Sequence, residues 1–490
     1  MTSSKPNLGP DSTYRQAIVF VLLFLIPAAQ ALLPIDDPDI WWHLRTGQWI
    51  IEHGRLPWTD PFSSYGAGKV WIAYSWLFEI LVYAIYSRFG LLGLVLFNVI
   101  FSLVIAVALY LLVRRAGLPF LAEIAITAVA LFCLKPLLNP RPWLFSILFF
   151  IVELHILLSA RSLRKHLSFF FLPLLFVVWA NVHVQFIYGL AALAIFAAEP
   201  LFQKKLTHAP AVSDPGWPSL RLRLVILLLS FIATLATPYH VHLYQPIFEY
   251  ALQTRAFQNI EEFHPMFFRS LRDWLVLALT LGAAFSLGWH RERRLFSYLL
   301  FAMGVFLAFR ARRDVWVLVI VSLTTIVQGR TALGVSAFPI HFTLGKLIAI
   351  SAALILSLFA FGYSRKITER GLERHVANYF PANAVAFIKN NFSPQPLYNE
   401  LDWGGYLIWT LPNWPVSMDG RTNLQGEARL ERSLATWAGF PGWDKDPELA
   451  QAQLIVARRN RPLTFLLHKD PRFRLVHQDN IADVFVTAHK

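Results

Sequence analysis

Eleven apolar stretches recur along this 490-residue chain, at residues 17–34, 91–113, 119–138, 143–160, 167–180, 186–202, 222–237, 274–289, 295–309, 315–328 and 342–363. Lipid offers no partner to backbone N–H and C=O groups, so a chain built this way crosses a membrane as helices, each needing about 20 residues. The hydrophobic share of 56%, a mean hydropathy of +0.48 and only 15% charged residues agree with a polytopic membrane protein. Several stretches are short. Residues 167–202 taken together give about 54 Å of helix at ~1.5 Å per residue, enough for two thin crossings or a re-entrant pair, with Pro173 kinking the first.

The first stretch follows Lys5 and Arg15, the flank of a signal sequence, but has no small-residue cleavage site and reads as an uncleaved anchor. The single cysteine, Cys133, allows no intrachain disulfide. The net charge of +14 does not make this a nucleic-acid-binding chain, because the excess lies in short loops and not on a folded basic domain.

With the N-terminus in the cytoplasm and residues 75–89 as an interfacial helix, the inner loops receive Arg114-Arg115, Arg161, Arg164-Lys165, Lys204-Lys205, Arg221, Arg223, Arg291 and Arg293-Arg294. This obeys the positive-inside rule. The opposite face then collects Asp36, Asp37, Asp39, Asn139, Arg141, Asn181, His183, Glu261, Glu262, His264, Arg310, Arg312 and Arg313. Those three arginines break the rule and read as a functional cluster, since charges near a membrane usually serve one.

Three units follow: a cytoplasmic tail at 1–16, a transmembrane domain at 17–368 with an acidic first outer loop at 35–90, and a soluble periplasmic α/β domain at 369–490. In the last, residues 381–392 are expected to be helical, as are 427–437 and 463–468. Strands are expected at 397–399, 406–410, 416–418, 454–457, 473–477 and 483–487, with turns at Gly404-Gly405 and Asp419-Gly420.

The layout and several motifs resemble the GT-C superfamily of integral-membrane glycosyltransferases, the class that includes dolichyl-phosphate-mannose protein mannosyltransferases. They are Asp37-Pro38-Asp39-Ile40-Trp41-Trp42-His43-Leu44, the Gly54–Ser63 segment, Asn139-Pro140-Arg141-Pro142, Trp179–His183, Tyr398-Asn399-Glu400 and Asp419-Gly420-Arg421. The resemblance implies a GT-C-like all-α membrane domain of about eleven helices. It also implies transfer of a sugar from a polyprenyl phosphate outside the membrane, with an acidic residue of the first outer loop as base.

The remaining roles come from the residues themselves. Glycosyl transfer needs a carboxylate for the acceptor proton and cations for the departing phosphate. Asp39, Asp37 and Asp36 are the candidate catalytic acids, although Asp37-Pro38 is also a helix start with aspartate as N-cap. His43, four residues after Asp39, shares its helix face and either contributes to a divalent-metal site or is oriented by the carboxylate. Trp41 and Trp42 either stack on sugar or prenyl chain or anchor at the interface. Asp60 lies in a proline-flanked turn. Arg141, Arg310, Arg312 and Arg313 are phosphate candidates, and His183 occupies a polar break. Asp419 and Arg421 are expected to brace a turn.

Partners are then a polyprenyl-phosphate-linked sugar, membrane lipid and a glycan, lipid or protein acceptor. The bacterial inner membrane is the expected location. Two rival functions remain open: a transporter or flippase of lipid-linked saccharides, for which Glu153 and His155 within a span would be the signal, and a non-catalytic scaffold whose tail binds a partner.

Overall fold

A computed structural model describes residues 10–159, 168–207, 217–252, 260–289, 294–331 and 344–488. Lys5 and the loop residues Arg161, Arg164, Lys165, Arg291 and Arg293 lie outside them.

Each apolar stretch forms a helix. In chain order these are α1 (Pro10–Ala31), α2 (Asp39–His53), α3 (Trp76–Arg114), α4 (Phe120–Leu134), α5 (Trp143–Leu158), α6 (Phe171–Val182), α7 (Phe186–Thr207), α8 (Leu220–Thr234), α9 (Tyr244–Leu252), α10 (Leu271–Trp289), α11 (Leu295–Arg310), α12 (Val315–Thr331) and α13 (Leu344–Ser364). α2 and α9 were not among the stretches. By length and composition alone, three described helices suffice to cross a membrane: Trp76–Arg114, Phe120–Leu137 and Leu271–Trp289. A fourth is added if Ile348–Ser364 and Glu369–Tyr379, bent by 53°, count as one span. The others, such as Trp143–Leu158 and Leu295–Arg310, are shorter apolar helices.

α12 is buried on every side from Val315 to Val321, as befits a helix that is apolar all round and central. α13 exposes Ile355, Phe359 and Tyr363 and lies at the periphery.

α3 is two helices in one. Gly90 adopts φ 63° and ψ −154°, outside helical space and open to glycine, and separates the half that begins at Trp76 from the half that begins at Leu91. The new N-terminus is capped from far along the chain: the Glu369 carboxylate accepts from the Leu91 and Leu92 N–H groups, both at 2.9 Å. A carboxylate there satisfies orphan donors and meets the positive helix end.

The helix ends define two faces. α5 runs from Trp143 to Ser159, where Arg115 Nη1 donates to Ser159 Oγ at 2.8 Å. At the far ends of α7, α8 and α11, Glu199 binds Arg223 (3.2 Å) and Arg294 (2.6 Å), with Arg294 stacked on Trp217. The acidic turn after α1 lies at the opposite, Trp143 end of α5, where Arg141 pairs with Asp37.

Beyond α13 come α14 (Glu369–Tyr379), α15 (Ala382–Asn391), α16 (Leu401–Thr410) and α17 (Glu427–Trp437), with strands β1 (Leu397–Asn399), β2 (Leu454–Arg458), β3 (Phe473–Gln478) and β4 (Ala482–Thr487). The sheet order is β1-β2-β4-β3, with β1 parallel to β2 and the other pairs antiparallel. Its two faces follow the period-two alternation of strands. Leu397, Leu454, Val456 and Val484 join the core of the membrane domain, while Tyr398, Ile455 and Phe485 form a second core with Trp437.

Two expected strands are absent. Residues 406–410 belong to α16, and Val416 makes only isolated bridges to Ser63 and Leu397. Gly404 and Gly405 are correspondingly not a turn. They lie inside α16 because two backbones pass close by: a Cβ on Gly404 would stand 1.9 Å from the Met418 carbonyl oxygen, and one on Gly405 2.6 Å from that of Pro38.

Candidate active site

The helix start at α2 places the acids. Asp37 accepts from the Asp39 N–H at 2.9 Å, closing the turn that Pro38 pre-sets, and the helix runs on until Gly54 ends it in a left-handed conformation (φ 62°). The cap position falls at Pro38, one residue later than the sequence pattern implied.

This turn forms one wall of a cavity of about 870 Å³. Asp36 lines it from the turn before α2, and Asp39, Trp42 and His43 from α2; Asn139 and Arg141 from the loop before α5, and Trp143 from its first turn; His183 from the break between α6 and α7. Tyr250, Glu261, Glu262, Phe263, Arg272, Arg312 and Arg313 also line it, and Asp402, Arg458, Gly420 and Thr422 come from the tail domain. Pro136, Leu137, Ile260 and Phe263 supply an apolar stretch.

Asp39 and Asp37 are not equivalent. Arg141 Nη1 forms an ion pair with Asp39 Oδ2 at 2.9 Å; its Nη2 donates to Asp37 Oδ1 at 2.6 Å and its Nε to Asp37 Oδ2. Asp37 also accepts from Asn139 Nδ2 at 3.2 Å, and it lies behind Arg141, off the cavity lining. Asp39 faces the cavity. Burial, opposed by Arg141 and reinforced by Asp37 and Glu262, raises the Asp39 carboxyl to about 7. Burial also works against the charge of Arg141, but Asp37, Asp39 and Glu262 more than offset it and hold that guanidinium firmly protonated. Asp36 is exposed on the rim and pairs with His375 Nε2 of α14 at 2.5 Å.

Both imidazoles are neutral. Burial, with Arg141 and His183, pushes His43 well down; burial, with Arg313 and Arg141, pushes His183 down to about 3. His43 Nδ1 is 3.2 Å from Glu79 Oε1, and its ring stacks on Trp42 at 3.6 Å. His183 Nδ1 is 2.7 Å from Ser146 Oγ, which also accepts from Trp179 Nε1 at 2.8 Å. Among the described residues no three His, Cys, Asp or Glu side chains gather as metal ligands, and Arg141 pairs with both Asp37 and Asp39 Oδ2.

The arginines divide. Arg312 pairs with Glu261 (3.1 Å) and Arg313 with Glu262 (3.8 Å), the latter lying over Phe263 at 4.1 Å. Arg310 donates to the Ala251 carbonyl at 3.1 Å and does not line the cavity. Asp60 is also elsewhere, in a buried clamp. It accepts from the Phe62 (3.0 Å) and Ser63 (3.1 Å) N–H groups and pairs with Arg421 Nη1 at 2.6 Å, while Arg421 also binds Asp419 at 2.7 Å. Asp419 and Arg421 therefore brace a turn as expected, with Asp60 as the third member. Trp41 and Trp42 are buried, Trp41 against Phe380 and Tyr406 of the tail domain, so neither is an anchor in lipid.

Sequence reasoning missed Arg272. At the start of α10 it lines the cavity, and its Nε and Nη2 are buried without a hydrogen-bond partner. Its only signal was its place at the outer end of an apolar stretch. Glu153, the mark of a transporter, is off the cavity and packed where a Cβ on Gly189 would meet both it (2.6 Å) and Trp179 (2.5 Å).

No family model and no curated protein matches the sequence. Solved structures do. The Archaeoglobus fulgidus oligosaccharyltransferase in its apo form is similar over 93% of this chain and 70% of that one, with a TM-score of 0.55 at 12% identity. ArnT from Cupriavidus metallidurans bound to undecaprenyl phosphate is similar over 97% of this chain and 98% of that one, with a TM-score of 0.50 at 13% identity. This chain shares the fold of both.

Proposed function

We propose that this protein is a multi-pass membrane glycosyltransferase that moves a sugar from a polyprenyl phosphate to an acceptor hydroxyl on the outer face of a bacterial inner membrane. The observation that carries the reading is one cavity lined by Asp39 together with Arg272, Arg312 and Arg313. The shared fold supports it, and the undecaprenyl phosphate bound to ArnT supports the class of donor. The positive-inside rule supports a cytoplasmic N-terminus and a periplasmic domain from residue 369.

Asp39 is the base. Its carboxylate takes the acceptor's proton as the acceptor oxygen bonds to the anomeric carbon. The bond from that carbon to the phosphate oxygen breaks, and its electron pair leaves on the phosphate. Arg272, with unspent donors, and the partly paired Arg312 and Arg313 balance the charge that develops there. Leu137, Phe263 and Ile260 border the prenyl chain. Arg141 keeps Asp37 neutralised and holds Asp39 in place.

Mass spectrometry of lipids co-purified with the protein tests the donor class. A polyprenyl phosphate or its glycosylated form is the expected finding. Only bulk phospholipid, together with no transfer from synthetic undecaprenyl-phosphate-linked hexoses, rejects the reading.

A further inference from the structure

The tail domain reaches into the reacting centre at one glycine. A Cβ built on Gly420 would stand 2.0 Å from Asp39 Oδ1 and 3.0 Å from its Cγ, so the carboxylate occupies the space any other residue would fill. Gly420 does not have a positive φ. Its backbone therefore tolerates alanine, and the demand for glycine is one of room.

We infer that Gly420 is a positioning residue for Asp39, fixing which carboxylate oxygen is held and which is offered to the acceptor. The inference rests on the reading of Asp39 as base. Oδ2 is held by Arg141 Nη1 at 2.9 Å, while Oδ1 points at Gly420, which lines the cavity beside it.

The glycine's own backbone has little freedom to retreat. Met418 O accepts from Asn399 Nδ2 at 2.7 Å, and Gly404 of α16 packs directly on Met418 and Asp419. Arg421, fully buried, is gripped by Asp419 and by Asp60 of the first outer loop, over the ring of Trp71 at 4.6 Å. Position 420 is thus pinned on both sides. A methyl group there displaces the carboxylate and not the loop, and the displaced group loses its bond to Arg141.

The experiment uses the full chain in lipid, with Gly420→Ala, Asp39→Asn and, as a control, Gly405→Ala. The last adds a methyl to the same docking surface but against the Pro38 carbonyl (2.6 Å). Two readouts are taken: transfer from a synthetic undecaprenyl-phosphate-linked hexose, as kcat, KM and pH profile, and the infrared carboxylate band that Asp39→Asn abolishes, followed against pH. G420A is expected to lose about 100-fold in kcat, as a misplacement near 1 Å does, with donor KM and thermal midpoint close to wild type. The charged groups around Asp39 are Arg141, Asp37 and Glu262. Loss of the first leaves the two anions, so both the rate limb and the infrared titration move to higher pH.

A G420A protein with wild-type kcat and titration overturns the inference, as does G405A showing the same two changes. If G420A does not fold, Arg421→Lys loosens the pin without adding bulk, and the same outcomes decide. The infrared titration needs no turnover, so it judges Gly420 even if sugar transfer itself is never observed.

Discussion

Arg421 Nη1 lies 2.6 Å from Asp60 Oδ1, although 361 positions separate the two in the chain. Both side chains are essentially fully buried, and Asp419 shares the guanidinium. Removing one member of such a pair leaves an uncompensated charge. Arg421→Met should therefore lose about 3–5 kcal/mol of stability, read as a lower unfolding midpoint in detergent. A double variant with Asp60→Asn should lose less than the sum of the two single losses, because the two act as one unit.

Asp39 and Asp37 should part company on mutation. Asp39→Asn should reduce transfer by about 10²–10⁴-fold, the span of a general base, with the fold intact. Asp37→Asn should leave measurable turnover, because Asp37 pairs with Arg141 and does not line the cavity. Equal loss in both variants, with equal donor affinity, would remove the distinction.

The acid limb of transfer should fall near pH 7. Asp39 must be ionised to accept a proton, so the rate rises with pH and levels off above about 7. Arg141→Met removes the cation that lowers this value and should move the limb upward. Stability runs the other way. A carboxyl raised from 3.8 to about 7 binds its proton more tightly in the native state, so wild type should lose stability relative to Asp39→Asn as pH climbs through that window.

Arg272→Met should weaken binding of undecaprenyl phosphate by roughly 10–100-fold, equivalent to about 1.5–3 kcal/mol for a hydrogen bond to a charged group. Tryptophan fluorescence titration of the purified protein measures it. Arg310→Met, off the cavity, should leave that affinity unchanged.

The fold was legible wherever one physical signal dominated. Apolar runs became helices because lipid and core both demand satisfied backbones, and β1, β2, β3 and β4 stood out through alternation between two cores. The strand expected at 406–410 failed because Gly404-Gly405 looks like punctuation, while its true cause, the Met418 and Pro38 carbonyls passing close by, is visible only in three dimensions. The gathering of Asp39, Arg141, His183 and Arg313 followed from sorting loops by face. Arg272 was hidden because a lone arginine at a helix start resembles any headgroup anchor. Asp60 looked like turn chemistry, and it is that as well as an anchor for Arg421. Glu369 as the cap of the Leu91 helix had no local signature at all.

The clamp between Asp60 and Arg421 also sets a timetable for biogenesis. At roughly 5–20 residues per second of translation, the Asp60 loop waits about 20 to 70 s for its partner to leave the ribosome. Throughout that interval α2 lacks the tail-domain ring of Tyr406 that packs on Trp41, and Ser63 lacks its bridge to Val416. A nascent chain halted short of residue 421 therefore leaves Asp60 without its guanidinium partner.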